Sequence, residues 1–596
     1  MNTLSSNISS LDKSIVVLPF RNLSGDVSYE YFCDGITEEI ISALSKINGL
    51  KVTARTSSFA FKGKPTDIRI IGNELGVTNA VEGSIRIAND RIRIMAQLTR
   101  TDTGFLLWSE KFDRKLVDVF ELQDEISVLI ADKIRENFGH IDIDESLTTV
   151  HTQNLKAYQW YLKGRYYQLT WSLSQIEKAI DYYQQSARID TSYADPVVAI
   201  GWCYAILASW GHIDRVEGLL KANEYLDKGY ELNTDSYMGH FAKATISFWG
   251  NWNFEDGYQE LQECLRVNPF FGEANEALAE LYTANGLFDE AIKETNKILK
   301  INPLSPNHYY TRGNIYFLQK DYKNAIQCFE SSLRLDSSFD LSRHLKLACF
   351  LFQKDKEATM SYARAFLDDS FIIIVESIFD AINHKKTIQY DENLLSEDVN
   401  LMVHWDFYYL IYCRKTDEVL HRLERMVQNR IGQILNFQFD PFLEPIRTTE
   451  TYKRLISEVF GNVELPIGNV DHYSKKEKQS GFSNEEVKLL ELKVSKYLDD
   501  NQAFLNPDLS LRSMAATIEL HPNKLSKFIN DYLQTNFSEL INSKRLEHFK
   551  KIAVDPKNKH LTLLGLAYDS GFNSKTVFNT YFKKVIGMTP KQWMKN

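Results

Sequence analysis

The stretch GFNSKTVFNTYFKK, Gly571 to Lys584, places Lys575, Thr576, Asn579, Thr580 and Lys583 at helical spacing between Val577, Phe578, Tyr581 and Phe582, and it contains no Asp or Glu. These residue types share one chemistry. Lys donates to phosphate oxygens or guanine acceptors, Asn pairs bidentately with adenine, and Ser and Thr bond in either direction. A carboxylate on such a face would repel phosphate, so its absence is part of the signal. A second face of the same character occurs upstream: Asn523, Lys524, Ser526, Lys527 and Asn530 stand opposite Leu525, Phe528 and Ile529. Asn573 and Ser574, just before the later helix, suit a turn and an N-cap as well as they suit contact with DNA.

The elements that must hold these faces repeat. Leu511–Ile518 reads as a short helix with Met514 and Ala515 inward, Glu519–Pro522 as a turn, and Asn523–Leu533 as a second helix. Thr562–Asp569, Ser570-Gly571 and Lys575–Val585 follow the same plan, with Leu563, Leu566 and Ala567 inward. This is helix-turn-helix logic. Ala515 and Ala567 are small where two helices cross closely, and Gly571 sits where the turn needs a left-handed backbone. Leu525, Phe528, Phe578, Tyr581 and Phe582 are expected in the core.

The motifs LSLRSMAATIELHPNKLSKFIN, NFSELINSKRLEHFKKI, LTLLGLAYDSGFNSKTVFNTYFKK and GMTPKQW make residues 485–596 resemble the AraC/XylS-type DNA-binding domain over its full length. The resemblance implies two helix-turn-helix units joined by a long helix, here Phe537–Ala553, reading adjacent major grooves about 34 Å apart. One departure stands out: Glu519 occupies a turn position where that family often has Gly. The charge agrees. From Leu511 onward there are 14 Lys and Arg against 6 Asp and Glu, a surplus of 8, so the whole-chain net charge of −10 leaves about −18 upstream. A basic block on an acidic body points to a polyanion partner for that block alone.

Upstream, residues 14 to about 140 read as an α/β unit. SIVVLPF suits a buried strand, Asp34–Ile47 a helix closed by Asn48-Gly49, LKVTA a strand, and Ile68–Leu75 a helix. Ile85, Ile87, Ile92 and Ile94 alternate with polar residues around Asn89-Asp90, a hairpin signal. Phe105–Phe112 reads as a further strand and Leu116–Phe138 as an amphipathic helix. The segments VVLPFRNLSGD, EYFCDGITEEI, SSFAFKGK, VEGSIRIANDRIRIMAQL and LWSEKFDR resemble the TolB N-terminal-like module of bacterial signalling proteins. That resemblance implies an α/β sandwich, often ahead of helical repeats, with no catalytic residues. FKGKPT is not a P-loop, because Ser58 and Pro65 stand where Gly and Ser or Thr are needed. Asp34, Glu38 and Glu39 at a helix start are explained by its dipole before any metal is invoked.

From about Leu155 to Phe350 the chain repeats. VNPFF at Val267, INPLS at Ile301 and LDSSF at Leu335 begin 34 residues apart, the tetratricopeptide (TPR) period. Gly313, Tyr316, Ala325 and Phe329 fall where paired helices interlock, and Ala279, Tyr282 and Ala291 match them one unit earlier. The stretch resembles TPR proteins, which implies a groove for a protein or peptide. DPFLEPIRTTETYKRLI reads as a closing element, and NVELPIGNVDHYSKKEKQSGF as a linker. The expected organisation is multidomain α/β plus all-α: a TolB-like α/β sandwich at 1–145, a TPR α-solenoid at 150–460, a linker at 461–482, and a double helix-turn-helix domain at 483–596.

Other classes find little support. The six cysteines are scattered, without metal-ligand spacing, and suit buried reduced thiols of a cytoplasmic protein. No export signal or membrane span is read. No Ser/His/Asp or Cys/His set stands out, no cofactor or metal site is expected, and no block of residues is left to house a cyclase domain, so no enzyme is expected. The reading is a DNA-binding transcription regulator with double-stranded DNA as partner, a protein or peptide in the TPR groove, and dimerisation allowed through the body. The alternative is a TPR scaffold without an operator.

Overall fold

The computed structural model describes residues 13–144, 147, 152–169, 173–269, 271–391, 394, 403–465 and 482–595. Most of the expected linker, 466–481, lies outside the described residues. The N-terminal unit is built on a mixed sheet: β1 (Ser14–Val17), β2 (Arg21–Asn22), β3 (Lys51–Val52), β4 (Asn79–Ala88), β5 (Arg91–Arg100) and β6 (Leu106–Lys115). Its order is β3-β1-β4-β5-β6, with β2 also pairing β4. β1 pairs parallel with β3 and β4, while β4, β5 and β6 form an antiparallel meander. The hairpin expected at Asn89-Asp90 forms, with Ile85 opposite Ile94, Ile87 opposite Ile92, and Asn89 left-handed at φ 56°.

Four helices flank the sheet: α1 (Glu30–Ser45), α2 (Arg55–Phe59), α3 (Ile68–Leu75) and α4 (Val119–Phe138). Ile36, Ile40 and Leu44 of α1 join Ile126, Ile130 and Ile134 of α4 and the inward Ile residues of the hairpin in one core. α3 covers the opposite face of β1 through Ile71 and Leu75. LKVTA, read as a five-residue strand, pairs only at Lys51 and Val52, and α2 follows instead. The cause is tertiary. The Ala54 amide donates to the Ile301 carbonyl at 2.8 Å, and the Ser57 amide donates to Asn302 Oδ1 at 3.0 Å, so this segment is claimed by the helical repeats.

Those repeats run as helix pairs, among them Gly272–Ala284 with Phe288–Ile301 and Pro306–Leu318 with Tyr322–Leu335. Sequence explains the close approach. A Cβ on Gly313 would lie 2.6 Å from the Phe329 ring, and Ala325 and Phe329 are wholly buried beside it. The closing element folds back on the stack. Phe442 packs on Phe317, Phe352, Trp405 and Tyr408, and Phe460 stacks on Phe254. Asp34 pairs with Lys62 at 2.6 Å, and Glu38 pairs with Arg165 and Arg55. Burial raises the Glu38 pKa, but the two guanidiniums outweigh it and hold it low. All six cysteines are free thiols, with Cys328 and Cys413 half-buried rather than buried as expected.

Candidate nucleic-acid interface

In the C-terminal region each of two small cores supports one helix-turn-helix unit. In the first, the support helix Leu511–Thr517 is capped by Ser510, and the reading helix Pro522–Asp531 starts with Pro522 at its first turn and His521 as N-cap. Leu511, Met514, Ala515, Leu525, Phe528 and Ile529 form the core with Phe537 and Ile541 of the connecting helix Phe537–Ala553. In the second, Thr562 caps the support helix Leu563–Asp569, and Ser574 caps the reading helix Lys575–Ile586. Leu566, Ala567, Phe578 and Phe582 pack there on Leu546 and Phe549, farther along the same connecting helix. One helix therefore carries both units.

The turns are equivalent. Leu520 donates to the Ala515 carbonyl at 2.9 Å, and Phe572 donates to Ala567 at 3.1 Å. Both preceding residues are left-handed, Glu519 at φ 56° and Gly571 at φ 92°. Glu519 thus keeps the turn's shape despite its Cβ, in a conformation non-glycine residues adopt at a cost. Gly571 is required on two counts, because an added Cβ would lie 2.4 Å from the Phe504 carbonyl oxygen. Arg545 of the connecting helix fixes that loop by donating to the Phe504 and Asn506 carbonyls at 2.8 and 2.7 Å. Burial pulls its pKa down to about 10.

On the second reading helix, Lys575, Thr576, Thr580 and Lys583 are exposed and Asn579 is half-buried, with Thr576, Thr580 and Lys583 on the side away from Phe578 and Phe582. Asn573 is exposed; its amide donates to the Pro507 carbonyl at 3.4 Å. Ser574 spends its hydroxyl on the Val577 amide as the N-cap. Lys575, Asn579, Thr580 and Lys583 form one wall of an open groove of about 810 Å³, with Phe105 of the β5–β6 turn also lining it.

The first reading helix is arranged differently. Lys524 is exposed and pairs with Glu486 at 3.2 Å; Lys527 and Asn530 are half-buried. Ser526, expected on the outward face, is instead buried at 4% exposure; it shares a helix face with Asn523 and Asn530, which the N-terminal unit covers. Asn523 is engaged by the N-terminal unit: its Oδ1 accepts from Arg135 and from the Ile143 amide, and its Nδ2 donates to the Ile143 carbonyl at 3.2 Å. Around it, Arg512 donates to Asp132 at 2.8 Å and the Leu511 amide donates to Glu136 at 2.8 Å. Asn536 and Ser538 bond the Asn137 carbonyl and side chain, each at 3.0 Å. Sequence reading missed Arg512 and all of α4's contribution. Arg512 lies inside a quoted motif, whereas nothing local marks α4, whose contacts span more than 370 residues of chain.

An α/β unit, a helical-repeat stack and a paired helix-turn-helix unit define a chain of regulator type. Comparison with known proteins agrees segment by segment. Residues 514–596 match the helix-turn-helix domain family of AraC type, 306–339 match the tetratricopeptide repeat, and 11–129 match the second domain of HilA/YgeH-like transcriptional regulators. A putative adenylate cyclase 3 of Rhizobium meliloti is 55% identical over 122 residues, 20% of this chain and 21% of that protein. An uncharacterized HTH-type transcriptional regulator of Staphylococcus aureus is 30% identical over 101 residues, 17% of this chain and 13% of that protein. The chain thus spans about a fifth or less of the length of either relative. Among solved structures, YrrB, a TPR protein with an unusual peptide-binding site, aligns with 32% of this chain and 91% of its own at 17% identity and a TM-score of 0.23. No helix among the described residues is long and apolar enough to cross a membrane.

Proposed function

We propose that this chain is a sequence-specific DNA-binding transcription regulator of the AraC type, not an enzyme, acting in the cytoplasm. The observation that carries the reading is the second reading helix: a cationic, amide- and hydroxyl-bearing face without a carboxylate, held by a buried aromatic core and preceded by a turn that demands Gly571. Lys575 and Lys583 are placed for phosphate, Asn579 for a base edge, and Thr576 and Thr580 for either. In the first unit Lys524, Lys527, Asn523 and Asn530 take the corresponding roles once that face is uncovered. Asn573 and Ser574 serve the turn and cap before DNA.

The body, in this reading a TolB-like unit at 1–145 and a TPR stack at 150–460, is the sensor or docking module, joined by the 461–482 linker to the reading domain at 483–596. A cavity of about 180 Å³ supports a sensing role; α1 contributes Glu38 to it, α4 contributes Gln123, and the repeats contribute Tyr161, Arg165, Tyr193 and Tyr237. The test is selection of genomic duplex fragments by the full chain. A recurring sequence among retained fragments, lost on Asn579→Ala, is expected. Retention without sequence preference, or none, would contradict the reading.

A further inference from the structure

We infer that the C-terminal end of α4 acts as an intramolecular stand-in for the DNA backbone, holding the first reading head closed until the N-terminal unit is displaced. The inference rests on the DNA-binding reading above and adds how access to that site is controlled. One of the groups held by α4, the Arg512 guanidinium, is of the kind a helix-turn-helix protein offers to phosphate. Glu136 takes the Leu511 amide at the start of the support helix, and Asp132 takes Arg512. Asp132 and Glu136 are each 5% exposed, and Glu136 also pairs with Lys133 at 2.8 Å. A third group, Asn523, has both its donor and its acceptor used by Arg135 and Ile143, which leaves its amide unavailable to a base.

The fit is close in shape as well as charge. Gly139, immediately after α4, approaches the reading helix so nearly that an added Cβ would lie 2.5 Å from Asn530 Oδ1. Arg135 is 1% exposed, so the contact excludes water around its guanidinium, and Asp132 compensates the buried charge. Asp531, at the end of the reading helix, acts electrostatically on Lys13 and His140 across the same boundary. A duplex cannot reach Asn523 or the Leu511 amide while α4 is in place. Phe105 of the same unit also lines the groove beside the second head. Among the described residues the N-terminal unit therefore borders both heads, and its hydrogen bonds to a reading head go to the first.

The test uses the full chain with Glu136→Gln and Asn137→Ala together, which spares the Arg135–Asp132 pair, and separately Asp132→Asn. Hydrogen exchange over 511–531 reports opening. Retention of a random-sequence duplex of about 40 base pairs, long enough for two heads, reports access. The expected result is faster exchange over 511–531, unchanged exchange over 575–586, and DNA affinity raised about tenfold, as for a protein whose competent fraction rises from a tenth to nearly all. Faster exchange with unchanged DNA affinity overturns the masking role. Unchanged exchange and unchanged affinity in both variants overturn the grip itself. If no form retains DNA even with the head open, the DNA-binding reading fails, and the masking with it.

Discussion

Leu520 and Phe572 close their turns by the same hydrogen bond, to Ala515 and Ala567, yet the residue before each differs: Glu519 in the first unit, Gly571 in the second. The surroundings account for this. The second turn packs under the Phe504 carbonyl, where a Cβ has no room, whereas at the first turn the backbone tolerates a side chain in a left-handed conformation. The outward faces differ as well. Asn523 is bonded on both sides by the N-terminal unit, while Lys575, Thr576 and Lys583 are exposed. Two units of one plan can thus be set to different tasks by what packs against them. The second has no room for a side chain at its turn and keeps its cationic residues exposed; the first accepts a strained side chain at its turn and is held from outside.

Substitutions can break or sharpen that contrast. Gly571→Ala carries the largest expected effect, a loss of about 2 kcal/mol or more from left-handed strain and the Phe504 clash, read as a lower urea midpoint for the C-terminal region. Asn579→Ala is expected to cost about 1–3 kcal/mol at a subset of bases, read by competition between selected duplexes. Lys583→Ala should weaken binding across sequences and reduce the salt slope by about 1. Lys527→Ala should match it only when Glu136→Gln and Asn137→Ala open the first head, and fall short of it in the otherwise native chain. The smallest effect belongs to Glu519→Gly, a gain of up to about 1 kcal/mol from relieved strain, measured by the same unfolding. Equal responses at Glu519 and Gly571, or at Lys527 and Lys583 in the closed chain, would erase the contrast.

Much of this was legible from local pattern. The connecting helix lies at Phe537–Ala553, where the resemblance to the AraC/XylS-type domain implies it, and apolar residues on both its halves serve the two cores. The hairpin at Asn89 and the left-handed Gly571 followed from turn chemistry. Leu525, Phe528, Phe578, Tyr581 and Phe582 are buried, as their spacing required. What escaped was tertiary. Ser526 is expected outward with Asn523 and Asn530, and it is buried on that face, which the N-terminal unit covers. The strand at Leu50–Ala54 was shortened by bonds to Ile301 and Asn302, far along the chain. Asp132, Arg135 and Glu136 lie in the helix read at Leu116–Phe138 only as amphipathic, and their contacts with residues 511–523 are tertiary.

The central claim is that two cationic heads engage a duplex, and salt tests it most directly. Affinity of the full chain for its selected duplex, measured across a range of salt concentrations, should fall steeply and linearly on logarithmic axes, by orders of magnitude for several phosphate contacts. The slope should become shallower with Lys583→Ala and steeper when the α4 grip is removed. Retention indifferent to salt, or no retention at low salt with the grip removed, would contradict the account.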